Sequence, residues 1–240
     1  MRALIDADSL LYSSCCKFQN VNPFDETKVD VDIEMLKYAF KQKIRFLLER
    51  IKCKDYILFI SGEKNFRYSI FKDYKATRKS SARPLGLTEL REYCSDNFNT
   101  ILCHKAEADD YVVDYKLNNM EDLLVAIDKD VLNSVEGTHY NYWKEDYVSI
   151  DRVTSIQWPY LQTLTGDGAD NIIGLKGVGP KTAKKLLQDV EDTKILWEIV
   201  VNEYKNRNRS KKDAIMNMRL VRMDQFDTKT KKLVLWKEES

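Results

Sequence analysis

The sequence predicts an α/β protein in which a mainly parallel sheet is followed by a helical part. Three observations predict it. Short apolar runs alternate with helix-spaced segments over the first 150 residues, as in strand–helix–strand units. Several of those runs lead into carboxylates, at the edge where open parallel sheets bind ligands. After about residue 150 the strand-like runs stop and the pattern becomes helical.

Ala3-Leu4-Ile5, ending at Asp6, reads as a buried first strand. Residues 30–51 read as a helix, because Ile33, Leu36, Phe40, Ile44, Leu47 and Ile51 recur at three or four. Tyr56 to Ile60 is a second strand, ended by Ser61-Gly62. Thr100 to Cys103 and Leu123 to Ile127 are two more, with helices near 87–97 and 107–118. This is a Rossmann-like order. It sets Asp6 and Asp128 at strand ends, with Glu107, Asp109 and Asp110 close behind a third. Beyond 150, Val153, Ile156, Tyr160, Leu161 and Leu164 form one helical face. Pro180 suits a first helical position, and Ala183, Leu186, Leu187 and Val190 continue an apolar stripe. Lys231 to Trp236 reads as a terminal strand or extension.

Composition narrows the function. A net charge of +1 argues against a chain coated in positive charge. The charge is nevertheless segregated, with acids over 104–130 and Lys205, Arg207, Arg209, Lys211, Lys212, Arg219 and Arg222 in a later run. That run suits DNA or an exposed helix face equally. Five cysteines, an odd number without Cys-x-x-Cys, suggest reduced thiols in a cytoplasm. Two histidines supply a zinc hydrolase or a histidine triad poorly. Asp6 and Asp8 interrupt the N-terminal apolar run, so a signal peptide is not expected, nor is a membrane partner.

The most informative segment joins Gly166-Asp167-Gly168-Ala169-Asp170 to Gly174-Leu175-Lys176-Gly177-Val178-Gly179-Pro180-Lys181-Thr182-Ala183. Carboxylates three apart suit a hard cation. A Gly-x-Gly turn opening a helix presents N–H groups to phosphate. Asp6, Glu107, Asp109, Asp110, Asp128, Asp130, Asp167 and Asp170 are the candidate metal ligands. A lone one would more often be a helix cap, but four acidic clusters at element ends converge, and divalent cations would relieve their repulsion. Asp8 reads as a cap or a supporting residue. The segment Asp73-Tyr74-Lys75-Ala76-Thr77-Arg78-Lys79 interleaves an aromatic with cations, as strand-binding surfaces do. Lys75 and Arg78, at i and i+3, would share a helix face.

Two families resemble this pattern. Asp6-Ala7-Asp8-Ser9 and Gly166 to Asp170 resemble motifs of haloacid-dehalogenase-like phosphatases, which leave the other acids and the glycine turn unexplained. Leu4 to Tyr12, Tyr74 to Arg78, Ala106 to Asp110, Ile127 to Asp130 and Gly166 to Ala183 resemble, in order, the motifs of the flap endonuclease and 5′-to-3′ exonuclease family. Phage exonucleases of the phage T7 type look nearest, with Asn65-Phe66-Arg67 and the closing segment similar too. The resemblance implies a PIN-like catalytic core over 1–150 with a basic arch segment near 64–98. It also implies a helical part over 151–240, carrying a helix-hairpin-helix DNA clamp and a C-terminal extension. It implies two magnesium or manganese ions on the eight acids, Lys75 and Arg78 on the scissile phosphate, and Tyr74 stacked on a terminal base. Lys79, Gly174, Gly177, Gly179, Lys181 and Thr182 would meet nucleic acid, with potassium at the hairpin. The implied activity is hydrolysis at DNA 5′ ends, and of RNA in hybrids, by a monomer, in a bacterial host's cytoplasm if phage-encoded. The family usually has an Asp just after the second strand. Here Ile60-Ser61-Gly62-Glu63 stands instead, with three readings: Glu63 substitutes, Ser61 holds a metal-bound water, or the first metal is weaker. The alternatives are a phosphatase, a non-catalytic DNA-binding protein and a PIN-type ribonuclease.

Overall fold

The computed structural model describes residues 1–22, 25–77 and 83–238. The elements begin with β1 (Ala3–Asp6), α1 (Asp8–Phe18), the hairpin β2 (Gln19–Asn22) and β3 (Asp25–Val31), and α2 (Ile33–Ile51). Next come β4 (Tyr56–Asn65), a short α3 (Arg67–Ile70), α4 (Leu87–Asn97), β5 (Thr100–Lys105), α5 (Ala108–Asn118), β6 (Leu123–Ala126) and α6 (Lys129–Asn133). The hairpin β7 (Gly137–Asn141) and β8 (Asp146–Ile150) precedes α7 (Arg152–Thr165), β9 (Gly166–Asp167) and β10 (Ile172–Ile173). The chain then forms α8 (Pro180–Leu187), α9 (Thr193–Asn206), α10 (Lys211–Val221), β11 (Phe226–Asp227) and β12 (Lys232–Leu233).

Six strands make one sheet in the order β5-β4-β1-β6-β7-β8. All neighbouring pairs are parallel except β7 with β8. The side-chain period of two sends neighbours to opposite faces. Ile5, Leu58, Ile60 and Val125 pack with residues of α1, α2 and α4. Leu4, Ile57, Phe59 and Leu124 pack with residues of α5 and α6. Burial on both faces explains why the strands read as continuous apolar runs.

Local chemistry sets the helix ends. Asp32 caps α2 by accepting from Met35 N at 2.9 Å, and Lys52 closes it in the left-handed region at φ 54°. Pro180 occupies the first turn of α8, where no N–H is needed. α7, α8, α9 and α10 share a second core around Leu164, Leu187, Val200 and Met218. The chain then returns to the sheet. Phe226 stacks on Tyr111 at 5.1 Å, and Leu235 packs into the same cluster.

Two expectations are revised. Ser61-Gly62 does not end the second strand, since β4 runs on to Asn65. A side chain at 62 would sit 2.3 Å from the Cys103 carbonyl, so Gly62 serves a close approach of β4 to β5 rather than a turn. The segment beyond 150 is not wholly helical. β9 with β10 and β11 with β12 are two-residue ladders too short to show a period. The hairpins at 19–31 and 137–150 carry no long apolar run, because they lie at the margin of the fold or outside the main sheet.

Candidate active site

The C-terminal edge of the sheet opens into one cleft. β1 delivers Asp6, and α1 begins with Asp8. The N-terminus of α5 brings Glu107 and Asp109, the end of β6 brings Asp128, and α6 brings Asp130. The loop around β9 closes the cleft with Asp167 and Asp170. Seven of the eight expected acids therefore face one space.

Asp110 does not join them. It is fully buried and paired with Arg67 through two contacts of 2.7 Å. It also accepts the Glu107 N–H at 2.9 Å, completing a capping box at the start of α5. Three N–H donors saturate this carboxylate, so it is removed from the candidate ligands. Arg67 extends further, donating to the carbonyls of Leu220 at 2.7 Å and Arg222 at 2.8 Å. It thereby bolts the acidic helix to the end of α10.

Tyr74 is not a surface for stacking a base. The residue is 2% exposed, and its hydroxyl lies 2.8 Å from both Glu107 Oε2 and Asp170 Oδ2, with one proton to share between them. Lys75 does not lie on a helix. It sits in a turn at φ 55°, its N–H bonded to the Asp170 carbonyl at 2.9 Å. Its ammonium pairs with Glu107 and lies 3.8 Å from Asp170. Side-chain bonds to Asp170, Glu107 and Ala169 hold the turn where the spacing of Lys75 and Arg78 suggests a helix face. Arg78 and Lys79 lie outside the described residues.

The electrostatics of the cleft are uneven. Burial, then the charges of Asp8 and Asp128, push the Asp6 carboxyl up to about 8. Burial and Asp6 push Asp109 well above the usual range. Burial and Asp128 bring Asp130 to about 7. Burial acts upward on Glu107 too, but Lys75 and Arg67 outweigh it, and this group is held down. The side facing Lys75 is compensated, whereas around Asp6, Asp109 and Asp130 the pull of Lys75 and Lys129 is outweighed by burial and neighbouring acids. Oxygen donors short of a counter-charge fit a divalent cation. Among the described residues no three of these carboxylates converge tightly on one point. The Lys75 ammonium stands between two of them.

Ser61 lines the cleft, and its hydroxyl accepts from Ala108 N at 2.8 Å. Glu63 is exposed and does not line the cleft, so it is no substitute for a strand-end carboxylate.

The glycine turn lies next along the chain. Gly177 has φ 78°, and Gly179 caps α8. A side chain at either would meet nothing within 4 Å, so both leave their backbone open to a visitor. Lys181 and Thr182 are exposed beside them. Gly174 differs: a Cβ there would lie 2.1 Å from the Thr165 backbone. Its missing side chain serves close packing against Thr165 and Gly166. In the late basic run, Arg207, Arg209, Lys211 and Arg222 pair with Glu203, Asp213, Glu238 and Asp224. That pairing favours an exposed helix face.

Residues 153–233 match the family model described as 5′-3′ exonuclease, C-terminal SAM fold. The chain is 27% identical to a 5′-3′ exonuclease of Buchnera aphidicola, over 90% of this chain and 79% of the relative. It is 28% identical to flap endonuclease Xni of a Shewanella strain, over 61% of each. Among solved structures, T5 5′-exonuclease with bound zinc superposes with a TM-score of 0.70 at 18% identity, covering 93% of this chain and 89% of that one. A T5 flap endonuclease complex with DNA and metal ions gives 0.68 at 17%, covering 92% and 89%. At this identity the structural likeness is one of fold. The sequence relatives and the family model carry the kinship: residues 153–233 match the C-terminal fold of 5′-3′ exonucleases, and most of the chain is similar in sequence to 5′-3′ exonucleases and flap endonucleases.

Proposed function

We propose that this chain hydrolyses phosphodiesters at DNA 5′ ends, and in RNA–DNA hybrids, with two magnesium or manganese ions. The observation that carries the reading is the cleft itself. Seven acids from four parts of the fold face one space in which they outnumber the cations Arg67, Lys75 and Lys129, and a backbone turn with open glycines follows in the chain.

Asp6, Glu107, Asp109, Asp128, Asp130, Asp167 and Asp170 would hold the ions. Bound divalent cations supply a lowered pKa for water and neutralise charge on phosphate oxygens. The chain supplies the rest. Lys75 is the cation positioned inside the cleft to meet the scissile phosphate, and its buried stem limits where the ammonium can go. Tyr74 spans Glu107 and Asp170, fixing two acids that come from distant parts of the chain. Arg67 and Asp110 hold the start of α5. The N–H groups at Gly177, Gly179 and the first turn of α8 grip the duplex backbone, with Lys181 and Thr182 beside them and a potassium ion at the turn. The sheet core over 1–150 supplies most of the chemistry, and the part over 151–240 adds Asp167 and Asp170 to it and holds DNA. The protein acts as a monomer in the cytoplasm. Among the described residues, no helix is long and apolar enough to cross a membrane.

The test is a duplex carrying a single-stranded 5′ flap, labelled at either end. Magnesium-dependent release of 5′ mononucleotides, or of one oligonucleotide cut at the junction, is the expected result. Tight binding with no product in magnesium or manganese would overturn the enzymatic reading.

A further inference from the structure

The sheet edge facing the cleft has a gap. β1 ends in Asp6, β6 leads into Asp128, and β5 leads into Glu107 and Asp109. β4 lies between β5 and β1, yet at that level it offers only Ser61 and Gly62. The Ser61 hydroxyl is engaged with Ala108 N.

Asp8 reaches into the gap from α1. The Ser61 N–H donates to its Oδ1 at 3.1 Å and its Oδ2 at 3.3 Å. The Arg91 guanidinium, which also donates to the Ser61 carbonyl, stands 3.8 Å from Oδ1. The Asp8 carboxylate is thus fixed at Ser61 of a strand that is not its own. It is not spent on capping, for the N-terminus of α1 has no side-chain cap. Nor is it spent on Arg91, since 3.8 Å is a loose contact for an ion pair. Its side chain keeps 35% of its exposure and lines the cleft.

We propose that Asp8 is the metal-facing carboxylate of the β4 position, supplied from α1 because the carboxylate of β4, Glu63, does not line the cleft. This rests on the nuclease reading above. Ser61 N–H and Arg91 are its positioning partners. They hold two sides of the carboxylate and leave the remainder toward the cleft.

The experiment is calorimetric titration of manganese into the full chain, with thermal melts of the metal-free proteins. The variants are Asp8→Asn, Ser61→Asp and the two combined. Asparagine keeps the size of aspartate and an acceptor for the Ser61 N–H. Manganese affinity of Asp8→Asn should fall about 10- to 100-fold, while its metal-free melting temperature holds or rises. The double variant, with the carboxylate returned from β4, should regain most of the affinity. Wild-type affinity in Asp8→Asn would overturn the proposal. So would a double variant as weak as Asp8→Asn, because Asp8 would then be only a strut for Ser61. Should Asp8→Asn fail to fold, Ser61→Asp alone decides. It crowds a second carboxylate beside Asp8, so a lower metal-free melting temperature with tighter manganese binding supports the assignment, and unchanged binding sinks it. A wild-type chain that takes up no manganese brings down the nuclease reading as well. A wild type that binds and cleaves beside an indistinguishable Asp8→Asn brings down this inference alone.

Discussion

The acidic cleft and the glycine turn lie within twenty residues of each other in the chain, yet they are built on opposite principles. The cleft is made of side chains that oppose one another. Asp6 and Asp109 are pushed toward protonation by burial and by neighbouring acids. The turn is made by omitting side chains. Gly177 and Gly179 contribute nothing except accessible backbone. The first kind of site is strained until a cation arrives, whereas the second is at rest before its ligand comes. Substitution should therefore stabilise one while ruining it, and weaken the other without disturbing the fold.

The largest effect is expected at Asp128. Asp128→Ala should slow cleavage by on the order of a thousand-fold, about 4 kcal/mol of barrier, while flap-DNA affinity measured in calcium stays near wild type. Unchanged turnover would remove Asp128 from the chemistry. Next comes the buried support. Asp110→Ala takes from buried Arg67 its two-point partner, leaving the 3.5 Å contact with Glu107 and two carbonyls, and should cost about 3–5 kcal/mol of stability in a denaturant titration. A cost below 1 kcal/mol would mean that this pair does not hold α5. Magnesium should then stabilise the wild type by about 2–3 kcal/mol at a hundredfold excess over its dissociation constant. Asp6→Asn should melt higher than wild type without metal and lose that magnesium response. If it melts lower, repulsion is not what burdens the cleft. The glycine turn gives the smallest effects on the fold. Gly177→Ala, at φ 78°, should cost about 1–2 kcal/mol. Gly179→Ala should leave the melting temperature unchanged, yet weaken DNA binding in a filter or anisotropy assay. Equal DNA affinity would show that the turn does not touch the duplex.

Much of this was legible in the sequence, for identifiable reasons. Strands β1, β4, β5 and β6 are buried on both faces, so they read as apolar runs, and their ends mark the cleft. Pro180 and the neighbouring glycines mark the start of α8 by chemistry that hardly depends on context. What stayed hidden depends on partners distant in the chain. Tyr74 looks like any aromatic in a basic segment, and only the fold brings Glu107 and Asp170 to its hydroxyl. Asp110 stands one residue from Asp109 and carries the same charge, but the helical turn aims it at Arg67. Asp8 reads as a cap because its partner, Ser61, lies fifty-three residues away. One available signal went unused. An Asp two residues after a strand-end Asp starts a helix on the same side of the sheet, close enough to serve the cleft.

Arg67 has a consequence for the life of the molecule as it is made. Its guanidinium joins Asp110, near the middle of the chain, to carbonyls at Leu220 and Arg222. A ribosome delivers Asp110 long before it delivers Leu220. Until that last helix emerges, the buried arginine lacks its backbone acceptors and the start of α5 is held only from one side. The acidic site is therefore assembled late in synthesis, and a nascent or clipped fragment ending before residue 220 should be inert toward the DNA around it.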